Sequence, residues 1–226
     1  ETAALLTIEN LPDLNETITV PEDIFEELTA QDASVAGFNP YEQPTVRDLL
    51  YGVLLPSGAD ACETLARAVG GSEEGFVAMM NQKAEELGLT NTHFENCTGL
   101  HNDNHYSTCR DIAVLMSECL KSDTFREIVT REVYTTEATA SHPEGITLYD
   151  TMLHRFTSYE MSTTLENGAV IEGGKTGFTD EAGQCLVSFA EYGGEEYILV
   201  TAEAMTDSGS AVDSIADAST VYGRLQ

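Results

Sequence analysis

The chain has no tryptophan and only three lysines, Lys83, Lys121 and Lys175, among its 226 residues. Ten basic residues stand against 39 acidic ones, a formal charge of −29. With so few cations and no basic patch, nucleic acid and anionic lipid are excluded as partners. An anionic substrate would need one strong local cation. No stretch approaches the ~18 consecutive apolar residues of a membrane-spanning helix, so no transmembrane segment is expected in this chain. No signal-peptide pattern is visible either. Low-complexity tracts and internal repeats are missing, and 42% of residues are hydrophobic, which points to a folded globular chain.

The five cysteines, Cys62, Cys97, Cys109, Cys119 and Cys185, are odd in number, so they cannot all pair within the chain. Cys97 and Cys109 bracket a loop that a disulfide would close; the alternative is five free thiols. Cys62, Cys119 and Cys185 fall in apolar periodic segments and read as small buried hydrophobes.

The hydrophobic pattern gives helices in the middle and a sheet late. "ETAALLTIEN" (1–10) opens without a cap, like the later turns of a helix already under way. "ETITVP" (16–21) reads as a short strand. Residues 45–55 place Val46, Leu49, Leu50, Val53 and Leu54 at helical spacing. Pro56 and Gly58 interrupt, and a helix resumes at "ADACETLARAV". Ser72 caps a further helix ending at Gly88, with Phe76, Met80, Ala84 and Leu87 on its inner stripe. Residues 90–106 form a loop. Ser107 or Thr108 then caps "CRDIAVLMSECLK", and Ser122 caps a short helix after it. Residues 131–168 are irregular, with short strands and a turn near "ENG". "GQCLVSFAEY", the Gly193–Gly194 turn and "EEYILVTAEA" form a β-hairpin. The segment carrying Lys175 is a third, antiparallel strand, and "SGSAVDSIADASTVYGRL" closes as a helix. The class is α+β: one domain over 1–226, an antiparallel β-sheet flanked by helices with a helical subdomain.

The rare Lys175 lies in "IEGGKTGFTDEAG" (171–183). A Lys-Thr-Gly on a strand suits a carboxylate. Lysine brings a charge on a flexible stem, threonine a hydroxyl donor, and Gly177 clears space for an extended peptide to approach the backbone. Thr179 shares the strand face of Lys175 and Gly177. Ser57, in "PSGADAC" (56–62), sits between two helices where its hydroxyl can enter a cleft. His101 and His105 have H-x-x-x-H spacing, but in a Gly/Asn/Asp loop rather than on a zinc-binding helix. Arg110 and Asp111 suit a salt bridge or cap contact. "NET" and "NCT" are glycosylation sequons by pattern alone.

Taken in order, "ETAALLTIEN", "ETITVP", "TVRDLLYGVLLPSGADAC", "GSEEGFVAMMNQKAEELGLTNTHFENCTGLHNDNHYSTCRDIAVLM" and "GGKTGFTDEAGQCLVSFA" resemble the low-molecular-mass D-alanyl-D-alanine carboxypeptidases. These are penicillin-recognising serine enzymes with a β-lactamase-like fold. The resemblance implies acyl transfer through three motifs, S-x-x-K, S-x-N and K-T-G. Ser57 becomes the catalytic second-motif serine that shuttles a proton to the leaving D-alanine. Lys175, Thr176 and Gly177, with Thr179, become the binders of the substrate's terminal carboxylate. The implied partners are a peptidoglycan stem peptide ending in D-Ala-D-Ala and, for a complete enzyme, β-lactams. No cofactor or metal is implied, and the expected location is extracytoplasmic.

The chain departs from this pattern twice. No S-x-x-K exists, because Met80, Glu118 and Glu172 stand three residues before the lysines. The resemblance places that motif immediately before Glu1, so an N-terminally truncated domain is expected, inactive as given. The asparagine of S-x-N is Ala59. Two other readings follow: a non-catalytic peptidoglycan-binding relative, and a β-lactamase.

Overall fold

Thr45 begins a helix that is capped reciprocally. Its hydroxyl accepts from the Asp48 amide, and the Asp48 carboxylate answers the Thr45 amide, so a reciprocal capping box sets the first turn. The computed structural model describes residues 1–204 and 212–226. Its helices are α1 (Thr2–Asn10), α2 (Ile24–Ala30), α3 (Val46–Leu54), α4 (Ala59–Gly70), α5 (Glu73–Glu86), α6 (Cys109–Cys119), α7 (Asp123–Val129), α8 (Leu153–Ser158) and α9 (Asp213–Tyr222). The strands are β1 (Val133–Thr135), β2 (Thr147–Tyr149), β3 (Val170–Thr179), β4 (Gly183–Tyr192) and β5 (Glu195–Ala204).

The order β3-β4-β5 makes one antiparallel sheet, and β1-β2 a small separate one. Strand alternation divides the core. On β4, Val187 and Phe189 join the large cluster built from α1 through α7, while Leu186 and Ala190 face a second cluster with α8 and α9. Tyr222 fastens α9 to the sheet, donating from its hydroxyl to the Ser188 carbonyl at 2.9 Å. The sheet is thus flanked by helices on both faces, as the pattern indicates.

Three helix starts read from the sequence carry the side-chain cap expected of them, Ser72, Thr108 and Ser122, and Thr45 caps a fourth. Phe76, Met80 and Ala84 are buried; Leu87, at the end of that stripe, is half-buried. Two expectations change. "ETITVP" is not a strand. It meets residues 42–46 through one isolated bridge, Thr17 to Thr45, and a few backbone bonds, because Pro44 opposite it has no amide to extend a ladder. Residues 131–168 hold the expected short strands, β1 and β2, but also the helix α8. Of the two cysteine readings, the second holds: Cys97 and Cys109 do not pair and all five thiols are free, Cys97 buried and Cys109 exposed at the first turn of α6. Cys62 and Cys119 are buried as expected, and Cys185 is half-buried. The first residues of the closing helical segment, 208–211, lie outside the described residues. Among the described residues no helix is long and apolar enough to cross a membrane.

Several ionisable groups are buried away from the sheet, Asp48, Asp60 and Glu63 among them. Glu63 of α4 lies against Cys97 and Glu73, and burial pushes its carboxyl up to about 7.

Candidate active site

The end of α3 and the start of α4 are joined by residues 55–58, and this turn cannot be relaxed. Ser57 takes φ 61°, a left-handed conformation that costs a β-carbon-bearing residue energy. Gly58 has no room for a side chain: a β-carbon there would lie 2.7 Å from the Ala36 amide and 2.8 Å from the Gly52 carbonyl. Asp60 fixes the neighbouring loop. Its carboxylate is buried and accepts from the amides of Ala36 (2.7 Å), Gly37 (2.9 Å), Phe38 (3.0 Å) and Ala61 (2.9 Å). The result is a serine hydroxyl held at one wall of a cavity of about 470 Å³.

Strand β3 is the opposite wall. Its outer edge is bridged near Val170 by Thr164; among the described residues no strand pairs with that edge beyond this point. Lys175 reaches across the cavity and its ammonium donates directly to the Ser57 hydroxyl oxygen, and also to the Thr176 carbonyl at 2.9 Å. Burial lowers the Lys175 pKa, and the Asp150 carboxylate opposes that shift. Thr176 Oγ1 lies 2.6 Å from Thr151 Oγ1, while the Thr151 amide donates to the Leu55 carbonyl at 3.2 Å. Residues from both walls are therefore tied through one hydrogen-bonded chain. Gly177 differs from the glycines before it on β3. A β-carbon at Gly174 would lie 2.4 Å from the Val187 carbonyl, whereas at Gly177 it would meet only Cys185 Cβ at 3.7 Å. Gly177 is not demanded by packing; its bareness leaves the cavity-facing strand smooth. Thr179 also lines the cavity, and its Oγ1 accepts from the Ala182 amide at 3.0 Å, leaving its own proton to donate.

The five residues singled out from the sequence, Ser57, Lys175, Thr176, Gly177 and Thr179, line this one cavity. Ala59 lines it too, and its methyl supplies no amide. Asn96 does not replace it, being engaged in its own turn: Nδ2 donates to the Leu100 carbonyl at 2.9 Å and Oδ1 accepts from the Gly99 amide at 2.7 Å. Glu1, Thr2 and Ala3 also reach the cavity from the N-terminus of α1.

Two residues escaped sequence reasoning. Asp150 is buried, with Oδ1 accepting from the Met152 (2.9 Å) and Leu153 (2.6 Å) amides at the start of α8. Its Oδ2 has no hydrogen-bond partner, and burial raises the carboxyl to about 6 against the pull of those amides and of Lys175. Arg155 of α8 lines the cavity with a buried, unpartnered Nη1, so a second cation stands near Lys175. Its rarity in so acidic a chain was the only available signal. The two histidines have separate local contacts: His101 meets Asp103 at 3.3 Å and Glu181 at 3.7 Å, while burial lowers the His105 pKa and its Nδ1 accepts from the Glu95 amide. Asp111 ties the preceding loop to α6 by accepting from the Asn91 amide and the Thr92 hydroxyl.

The chain is similar to known proteins over most of its length. The chain is 36% identical over 168 residues to the D-alanyl-D-alanine carboxypeptidase DacF of Bacillus subtilis, a match covering 74% of this chain but 40% of DacF. It is 34% identical over 203 residues to the D-alanyl-D-alanine carboxypeptidase of Streptomyces sp. K15, covering 87% of this chain and 67% of that one. The crystal structure of the Streptomyces K15 DD-transpeptidase superposes with a TM-score of 0.79 at 30% identity, over 98% of this chain and 86% of that chain. The family model for peptidase S11, D-alanyl-D-alanine carboxypeptidase, matches residues 6–206. Measured by that match and by the two-walled cleft it encloses, the chain belongs to the D-alanyl-D-alanine carboxypeptidase family of serine-type peptidases.

Proposed function

We propose that this cleft is the carboxylate-binding and proton-relay half of a peptidase that removes the terminal D-alanine of peptidoglycan stem peptides, acting outside the cytoplasmic membrane. The observation that carries the reading is the direct contact between the Lys175 ammonium and the Ser57 hydroxyl across the cavity. An extended peptide laid along the open edge of β3 pairs with backbone beside Gly177. Its C-terminal carboxylate meets Lys175 and the hydroxyls of Thr176 and Thr179, with Arg155 adding positive potential. Because Ser57 accepts from Lys175, its own proton is free to donate, which suits delivery to the leaving amine. Lys175, kept below the ordinary lysine range by burial, is able to resupply that proton.

Acylation needs a serine nucleophile and a basic lysine, and in this reading both lie outside residues 1–226, delivered next to Glu1 where α1 opens on the cavity. Residues 1–226 alone should then bind the peptide without turning it over. A peptide ending in D-Ala-D-Ala, titrated calorimetrically, should bind, and its C-terminal amide should bind at least about tenfold more weakly, as expected for loss of a charge-assisted contact. Lys175→Met should abolish the difference. Equal affinity for acid and amide would overturn the assignment of Lys175, and D-alanine release by residues 1–226 would overturn the assignment of the missing nucleophile. A β-lactam probe that labels a serine upstream of Glu1 in the longer gene product would support the enzyme. Ala59 favours a second reading, peptide binding without turnover, and absence of labelling with retained binding would select it.

A further inference from the structure

A wall of the cleft is shared with a second groove, of about 720 Å³, lined by Glu63, Arg67 and Glu73 among others. Cys97 lines the cleft on one side of this wall, and the two glutamates line the groove on the other. Among the described residues this is the one group of metal-ligating side chains brought together: a carboxylate oxygen of Glu63, one of Glu73 and the Cys97 sulfur lie within 4.8 Å of one another. Three separate segments supply them, α4, the first turn of α5 and the loop between α5 and α6.

A feature of this cluster goes beyond the mere proximity of acids. Glu63 is 6% exposed, yet its Oε2 has no hydrogen-bond partner. Its other oxygen accepts from the Cys97 thiol at 3.2 Å, and the Cys97 amide donates to Glu73 at 3.3 Å. The neighbouring cation, Arg67, stands off at 3.8 Å and is engaged by Asp23 at 2.6 Å. A buried carboxylate oxygen with no donor, beside a second carboxylate and a thiol, lacks a positive partner.

We infer that Glu63, Glu73 and Cys97 form a binding site for a zinc-class divalent cation in the wall between the two cavities. Two carboxylates and one thiolate suit a borderline-soft ion, with the fourth tetrahedral position open to water in the groove. On binding, the metal–sulfur bond replaces the thiol S–H, and that proton passes to solvent; any proton held by a carboxyl leaves the same way. A divalent ion offsets most of the charge of the three negative ligands, which Arg67, engaged by Asp23, leaves largely unbalanced. The ion would pin the loop that carries Asn96 and Thr98 into the cleft. The site stands whether or not the cleft turns over peptide, since Ser57 and Lys175 take no part in it.

The test is equilibrium dialysis against zinc alone in an excess of calcium, which saturates the acidic surface. One zinc per chain should remain. Cys97→Ser should weaken zinc by at least about 100-fold, since outer-shell partners alone carry 10–100-fold, while Cys109→Ser leaves binding intact. Cobalt(II) should give a thiolate-to-metal charge-transfer band in the intact chain and none in Cys97→Ser. Far-ultraviolet dichroism checks that this variant folds, and Glu73→Gln, at a half-buried position, is the second variant expected to lose affinity. No retained zinc, unchanged zinc affinity in both variants, or no cobalt–thiolate band would each overturn the site.

Discussion

The two walls of the cleft each rest on a buried aspartate, and the two are treated in opposite ways. Asp60, beneath Ser57, receives four backbone amides from the residues it organises. Asp150, beneath Lys175, receives two on one oxygen and leaves the other without a partner. The glycines repeat the contrast, Gly58 being locked by its neighbours and Gly177 standing in open space. One wall is a scaffold that fixes a hydroxyl. The other is an incompletely satisfied surface with spare charge and spare room, as expected where a ligand completes the interactions.

The largest effect expected is that of Asp60→Ala. It strips the partner from three amides of the 36–38 loop, at roughly 1–3 kcal/mol for each buried group. With partial relaxation the loss should be about 3–5 kcal/mol in urea unfolding; a loss below about 1 kcal/mol would remove the distinction between the two walls.

Asp150 should act through pH. Its folded pKa, about 6, lies above the ordinary 3.8, so the folded chain holds this proton more tightly than the unfolded chain. Its burial is therefore tolerated below about pH 4, and the chain loses stability as pH rises towards 6, by about 2–3 kcal/mol at most. Asp150→Asn keeps an acceptor for the α8 amides and should flatten this part of the stability–pH curve. Glu63 titrates nearby in both proteins, so the difference between the two curves isolates Asp150. Parallel curves would show that Lys175 neutralises Asp150 fully.

Gly58→Ala should cost about 1–3 kcal/mol by overpacking. Gly177→Ala should stay within about 0.5 kcal/mol yet weaken binding of the D-Ala-D-Ala peptide. Equal stability losses would mean that the open wall is as tightly packed as the closed one.

What could be read from the sequence follows the same physics. Thr45, Ser72, Thr108 and Ser122 cap their own helices with a side chain, so each start is written locally. Helices α2 and α8 have no side-chain cap at the N-cap position. The start of α8 is held by Asp150, two residues ahead of its N-cap, and both helices went unread. The β3–β5 sheet was legible because alternation on β4 matches its two cores. Within the site, Ser57 and Lys175 carried motif context. Asp150 and Arg155 have none, since they matter only through a packing that joins residue 150 to residue 175. The Glu63–Glu73–Cys97 cluster was hidden for the same reason, its members coming from three segments.

Ser57 is held at φ 61°. At this position natural selection for robustness and selection for chemistry pull in opposite directions. Glycine adopts this backbone freely, so Ser57→Gly should raise the melting temperature, by the equivalent of up to about 1 kcal/mol, while removing the hydroxyl that faces Lys175. A library screened for thermal tolerance alone would drift towards glycine here, and one screened for peptide cleavage, with a nucleophile motif supplied, would retain serine. Divergence of the two libraries at residue 57 would measure how much fitness the hydroxyl confers.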